Sequence, residues 1–134
     1  MKSDIKFHPV EGVTLAIAKK KNELNGLEWH VYIINKKNVP LENVLITSKG
    51  YGEQEGEKKT TSTLRHMIER LEAASFAIVE PIDPTLFELT NEFWVSYYID
   101  GHIYDKKFIF VPGSITDKTL SLIKEIELEG VLHS

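Results

Sequence analysis

The sequence predicts an all-β protein, an immunoglobulin-like β-sandwich of about seven antiparallel strands. The first observation behind this is the stretch 93–111, where two runs rich in aromatic and β-branched residues flank Asp100-Gly101. An Asp-Gly pair in this setting is typical of a hairpin closed by a two-residue type I′ turn. The second is that short apolar runs recur along the chain, separated by polar segments that contain Gly or Pro. A length of 134 residues fits one domain, so we predict a single sandwich over residues 1–134.

Three strands are predicted in the first half of the chain, after an extended lead-in over residues 1–12. Residues 13–18 alternate in the way of a strand with one apolar face. Residues 29–34 carry large side chains on both faces, the pattern of a strand in the middle of a sheet. A third strand over 44–47 is followed by the Gly-rich, charged stretch 50–59, which we expect to be a mobile loop.

Residues 60–81 permit two interpretations. Four apolar residues follow the spacing of a helix face: Leu64, Met67, Ile68 and Leu71. Residues 75–79 have the pattern of a strand. If the segment just before them is also a strand, the chain has the seven strands expected of a sandwich. We therefore favour a strand over 62–73, with one short helix there as the alternative. Near the C-terminus, a helix over 120–126 and an edge strand over 126–128 are both open.

The predicted hairpin sorts its residues onto two faces. One face is apolar and predicts core: Phe93, Val95, Tyr97, Ile99, Tyr104, Phe108 and Phe110. The other face mixes apolar and polar residues and places Trp94 opposite Lys107, which permits a cation–π contact. We expect this second face either to be covered by another element or to bind a partner. Its candidate binding residues are Trp94, Tyr98 and Lys107.

Composition narrows the classes of function. The chain has no cysteine, which excludes a disulfide framework, a thiolate zinc site and cysteine catalysis. Its formal charge of −4 makes nucleic-acid binding an unlikely function, since duplex-binding domains usually carry a basic balance. There is no apolar run typical of a signal peptide or a membrane span, so we expect a cytoplasmic protein that does not contact membranes.

No catalytic motif stands out. The five histidines do not form an HExxH pair, no serine lies in a GxSxG elbow, and no phosphate or calcium loop is present. We therefore expect a protein that is not an enzyme and that needs no metal or cofactor. An enzyme that uses Arg65 and His66 is the lowest-ranked alternative, and it would require both residues in one concave pocket beside a carboxylate.

Three stretches resemble a family of small uncharacterised bacterial proteins: residues 39–52, residues 61–66, and residues 91–98 with 104–110. Some members of this family are labelled as a phenylalanyl-tRNA synthetase subunit. The resemblance implies a bacterial protein and at most an accessory domain, because a class II synthetase core needs an ATP-binding motif and a much larger sheet. The strand-turn-strand unit from residues 31–35 through Pro40 to Val44 is also similar to immunoglobulin-like and fibronectin-like modules, in which a loop joins two strands around a buried aromatic residue. The resemblance implies that part for Trp29.

These observations predict a small intracellular module that binds another protein through a sheet face or an edge strand. An edge strand could also pair with a second copy of the chain. The alternative is a translation-associated accessory protein that contacts tRNA or an aminoacyl-tRNA synthetase. Its candidate anion and RNA contacts are Lys58, Lys59, Arg65 and His66.

Overall fold

The computed structural model describes residues 8–133, which form ten strands and one short 3₁₀ helix at Pro84–Glu88. The strands are β1 (Val13–Lys21), β2 (Leu27–Asn35), β3 (Leu41–Gln54), β4 (Glu57–Thr60), β5 (Leu64–Leu71), β6 (Ser75–Pro81), β7 (Thr90–Ile99), β8 (His102–Phe110), β9 (Ser121–Ile123) and β10 (Leu128–His133). Residues 1–7, and with them most of the predicted lead-in, lie outside the described part of the chain, as does residue 134. No helix among the described residues has the length and apolar character needed to cross a membrane.

Two antiparallel sheets face each other. Sheet I has the strand order β6-β2-β1-β10-β9. Sheet II has the order β3-β7-β8, and both β4 and β5 pair with the free side of β3. The segments β6-β2-β1 and β3-β7-β8 match strands E-B-A and C-F-G of an immunoglobulin-like sandwich, so the predicted fold class is confirmed. The three strands beyond the expected seven are β4, β9 and β10.

The hairpin of β7 and β8 has the predicted turn and register. Asp100 and Gly101 have φ values of 49° and 76°, the two positive angles that a type I′ turn requires. Tyr97 pairs with Tyr104, and Trp94 pairs with Lys107. The alternation along β7 therefore points one set of side chains into the sandwich and the other set outward.

The main core lies between the sheets. Its largest fully buried side chains come from both: Leu15, Ile17, Val31 and Ile33 of sheet I, and Leu41, Ile46, Phe93, Tyr97 and Phe108 of sheet II. Trp29 is half-buried at the edge of this core, where it meets Phe87 edge to face at 5.0 Å. Trp29 is thus at the edge of the core and not among its fully buried residues.

A second, smaller core lies on the outer face of sheet I. Ala16, Ala18, Tyr32 and Ile34 point away from the main core, yet all four are buried. The side chains of Ile123 and Ile126, from β9 and the turn after it, pack over them. Ala16 and Ala18 of β1 have small side chains, and Gly130 of β10, which lies beside Ala18, has none. Together they leave a trough on this face, and the side chains of Ile123 and Ile126 fill it.

The strand favoured for residues 62–73 is confirmed as β5, and the helix alternative is wrong. β5 pairs with β3, and its apolar residues divide between the two faces: Met67 points outward and Ile68 packs against the core. Two other local expectations change in the structure. The stretch 50–59 is not a loop, since β3 continues to Gln54 and returns as β4 after a tight turn at Glu55-Gly56. Residues 120–126 form β9 and a turn, and the last strand begins later than expected, at Leu128.

Candidate functional site

Trp94 lies on the outer face of sheet II and remains 46% exposed. Two neighbours on β8 hold its ring. The Lys107 ammonium lies 5.0 Å from the ring centroid, and the indole N–H donates a hydrogen bond to Asp105 Oδ1. These two contacts favour one orientation of the exposed indole.

The strand register places further side chains in line with Trp94. Thr47 on β3 pairs with Trp94 on one side and with Arg65 of β5 on the other. Lys107 completes the row on β8. Arg65, Thr47, Trp94 and Lys107 therefore cross sheet II side by side, and they join one residue of the RNA-contact alternative to two of the protein-binding candidates.

Glu92 organises the charge beside this row. Lys49 and Lys107 both place their ammonium groups 3.8 Å from the Glu92 carboxylate. The Tyr51 hydroxyl donates to the same carboxylate at 3.3 Å. Desolvation first, and then the charge and hydrogen bond of Glu92, raise the pKa of Tyr51 above its usual value. The one carboxylate of Glu92 is thus shared by two lysines and offsets half of their combined charge.

A hollow of about 310 Å³ lies next to the indole. Its walls are Thr47, Lys49, Thr63, Glu92, Trp94 and Lys107. A volume of this size accepts one or two side chains of a partner but is at the low end for a small-molecule pocket. We call the outward-facing surface formed by this hollow, Arg65, Asp105 and Tyr98 the Trp94 face.

Tyr98 lies four residues farther along β7 on the same face as Trp94, opposite Ile103. It is exposed, and so are Met67 and Leu45, which form a cross-strand pair on the same side of the sheet. The Trp94 face thus combines an exposed indole, a phenol and an apolar border. No cluster of buried residues forms over it in the described chain, in contrast to the outer face of sheet I.

The residues of the RNA-contact alternative do not come together. Arg65 belongs to the Trp94 face, and its side chain makes no ion pair or hydrogen bond with any residue of 8–133. His66, its neighbour, points to the opposite side and contacts Glu80 of β6 at 2.7 Å. Lys58 and Lys59 lie on β4 and are paired in register with Glu53 and Gly52. They therefore do not share one face with both Arg65 and His66.

The surroundings of His66 do not form a nucleophile–base pair. Ser48 Oγ donates to Glu80 Oε1 at 2.7 Å, and His66 Nε2 contacts the same oxygen. No hydrogen bond joins Ser48 to His66 within residues 8–133, so His66 is not placed to take a proton from the serine. Across that same span, no group of three or more His, Cys, Asp or Glu side chains could hold a metal ion.

Sequence reasoning missed several members of the Trp94 face: Thr47, Lys49, Glu92 and Asp105. Asp105 could have been found, because the type I′ register puts it diagonally across from Trp94. Thr47 and Lys49 could not, since their place depends on the long-range pairing of β3 with β7.

Comparisons of the chain with protein-family models, with curated proteins and with solved structures gave no match. The fold and the candidate site therefore rest on the geometry of the chain itself.

Proposed function

We propose that this protein is a non-enzymatic interaction module that binds another protein through the Trp94 face. The observation that carries the proposal is a half-exposed indole in the row that crosses sheet II, which contacts Lys107 and Asp105 and which no buried cluster of residues 8–133 covers. An aromatic ring held in one orientation loses little conformational entropy when a partner packs on it. Residues that dominate protein interfaces are enriched in Trp, Tyr and Arg, and this face presents Trp94, Tyr98 and Arg65.

The charge of the face favours a protein partner over nucleic acid. Lys49 and Lys107 are paired with Glu92, and Asp105 lies beside the indole. Nucleic-acid affinity grows with the number of phosphates that free cations can neutralise, and here only Arg65 lacks an acidic partner among the described residues of the face. A single free guanidinium can pair with one carboxylate of a partner protein, whereas binding to a phosphate backbone draws on several free cations.

The experiment is affinity capture with the tagged full chain and two variants of matched character. Trp94→Ala removes the proposed anchor. Leu122→Ala removes a side chain that is more exposed, at 66%, but lies on β9 of the other sheet. We expect one dominant protein that is retained by the wild type and by Leu122→Ala and lost from Trp94→Ala.

The other outcomes are informative. A partner that survives Trp94→Ala would contradict the proposal. Recovery of tRNA or a synthetase, insensitive to Trp94→Ala but lost with rising salt, would support the translation-associated alternative instead. Recovery of the untagged chain alone, lost in Trp94→Ala, would identify the partner as a second copy.

A further inference from the structure

A second site lies away from the Trp94 face, between the two sheets. A cleft of about 190 Å³ opens where β3 and β7 of sheet II meet the end of β6 from sheet I and the 3₁₀ helix. Six of its lining residues carry the argument: Ser48, Gly50, Leu64, Glu80, Asn91 and Phe93. Leu64 is exposed at its rim, so the cleft is reached from solvent. We call it the Glu80 cleft.

The Glu80 carboxylate is incompletely satisfied. Its side chain is only 10% exposed, and both of its partners, Ser48 Oγ and His66 Nε2, contact the same oxygen, Oε1. The other oxygen, Oε2, has no hydrogen bond or ion pair with any residue of 8–133. Oε2 is not among the fully buried unpartnered atoms of the described chain, so it is open to the cleft and can accept a hydrogen bond from a bound donor.

Asn91 supplies a second free acceptor to the same cleft. Its side-chain nitrogen donates to the carbonyl oxygens of Leu86 and Leu89, at 2.8 and 3.2 Å. These two bonds fix the amide and leave Oδ1 without a hydrogen-bond partner in the described chain. Glu80 and Asn91 both line the cleft, so it holds two residues with an unengaged acceptor oxygen, one of them a carboxylate, which suits a cationic donor.

The apolar walls of the Glu80 cleft indicate which kind of chemical group bears the cationic donor. Leu64, Ile82, Leu86 and Phe93 line the cleft with apolar surface. The volume is below the range of about 300–1,000 Å³ of pockets for drug-sized ligands, so it fits a single aliphatic stem. A guanidinium binds best through two parallel bonds to both carboxylate oxygens, and Oε1 is already engaged. An ammonium, a compact head on a flexible stem, needs only the one free oxygen.

We propose that the Glu80 cleft binds a primary alkylammonium group, with Glu80 Oε2 and Asn91 Oδ1 as its acceptors. The sources of such a group are a lysine side chain within a polypeptide and a small free amine. Gly50 keeps the floor open: a Cβ there would lie 3.1 Å from Thr61 Cγ2 and 3.3 Å from Asn91 Oδ1. A larger residue at this position would crowd the acceptor that the ammonium uses.

The test is a titration of the isotope-labelled full chain, followed by the amide shifts of Gly50 and of the Asn91 side chain. The probes are n-butylamine, a doubly blocked lysine (Nα-acetyl, methylamide) and the matched blocked norleucine, which keeps the stem and lacks the charge. We expect the lysine probe and the amine to shift both signals, and norleucine to bind at least about tenfold more weakly, because the charged hydrogen bond is absent. The tighter of the two charged probes identifies the source.

Three variants decide the matter. Glu80→Gln keeps an acceptor for Ser48 but removes the charge, and we expect about a tenfold loss of lysine-probe affinity. Glu125→Gln makes the same change of charge at an exposed ion pair with Lys36 and should leave binding unchanged. If Glu80→Gln does not fold, Gly50→Ala replaces it and should also weaken binding. Equal affinity for lysine and norleucine, or full affinity in a folded Glu80→Gln or Gly50→Ala variant, would overturn the proposal.

Discussion

The outer faces of the two sheets are built in opposite ways. On the outer face of sheet I, the side chains of Ala16 and Ala18 are small, and Ile123 and Ile126 pack over them. On sheet II, the corresponding surface carries Trp94 with ionised neighbours, and no buried cluster forms over it within residues 8–133. One face has become a second core, whereas the other has kept its largest aromatic side chain in contact with water.

The difference shows how side-chain choice decides whether a sheet face is covered. Covering a face with Lys49, Glu92 and Lys107 on it would bury charges, which costs more than the burial of apolar area returns. Covering a face of alanines costs nothing of this kind and gains from the close approach of a neighbouring strand. We therefore assign structural work to the outer face of sheet I and recognition to that of sheet II.

The largest expected loss of stability comes from a substitution at Gly130, on the covered outer face of sheet I. A Cβ at this position would lie 2.7 Å from Cα and Cβ of Ala18 and closer still to the Ile17 carbonyl oxygen. We expect Gly130→Ala to lower the free energy of unfolding by about 3 kcal/mol, because backbone must move to relieve the overlap. Urea unfolding measures the change. A loss below about 1 kcal/mol would mean that β10 does not pack tightly on β1.

The next largest effect on stability is expected from truncating one of the side chains that cover the outer face of sheet I. Ile126 is buried against Ile34 and its neighbours in the second core. We expect Ile126→Ala to lower the free energy of unfolding by about 2 kcal/mol through lost burial and a residual cavity. The same urea experiment applies, with Leu122→Ala as the control, since Leu122 is exposed on the adjoining strand. Equal effects of the two variants would contradict the distinction between covered and exposed positions.

Trp94→Ala should change the free energy of unfolding less than Gly130→Ala and Ile126→Ala do. Its exposed ring contributes a cation–π contact with Lys107 and one hydrogen bond, so we expect a loss of only about 1 kcal/mol or less. Partner capture should be lost in the same variant. A loss of stability as large as that of Ile126→Ala would instead place Trp94 among the structural residues.

The smallest expected change in stability concerns Tyr97, which differs from its neighbour Tyr98 in its surroundings. Tyr97 points inward, and its buried hydroxyl has no hydrogen-bond partner among residues 8–133, whereas Tyr98 points outward. At pH 7 we expect Tyr97→Phe to be neutral or to stabilise the fold by up to about 1 kcal/mol, because it removes an unsatisfied buried group. Urea unfolding at pH 7 measures this. A clear loss of stability would reveal a partner for the hydroxyl.

The same residue makes stability depend on alkaline pH. Burial, and to a lesser degree Tyr104, raise the pKa of Tyr97 above that of a tyrosine in the unfolded chain. Its contribution is therefore complete below about pH 10 and is lost as the pH rises further, because only the unfolded chain releases the proton. We expect Tyr97→Phe to lose less stability than the wild type between about pH 9 and 11. Tyr98→Phe keeps Tyr97 and should retain the wild-type slope.

The sequence sufficed for features that depend on local pairing. Asp100-Gly101 sets the turn, the turn sets the register, and the register places Trp94 opposite Lys107. What lay beyond local reasoning was how strands distant in sequence meet. The placement of Arg65 in the same row as Trp94 depends on β3 lying between β5 and β7.

The C-terminal region shows the opposite case, in which local spacing misleads. Leu120, Ile123 and Ile126 are spaced as on a helix, yet Ile123 ends β9 and Ile126 lies in the turn after it. Both isoleucines are apolar because the trough on sheet I requires it, not because of a helix. Gly130 was the available signal, since a glycine within a strand often marks a close approach of two backbones.

Site-specific photocrosslinking in cells tests the central claim most directly. A photoreactive amino acid replaces Tyr98 on the outer face of sheet II or, as the matched control, Leu132 on the outer face of sheet I. Our account predicts one discrete protein adduct from position 98, abolished by Trp94→Ala, and no such adduct from position 132. Absence of any adduct at 98, or the same adduct from both positions, would contradict the assignment of recognition to the Trp94 face.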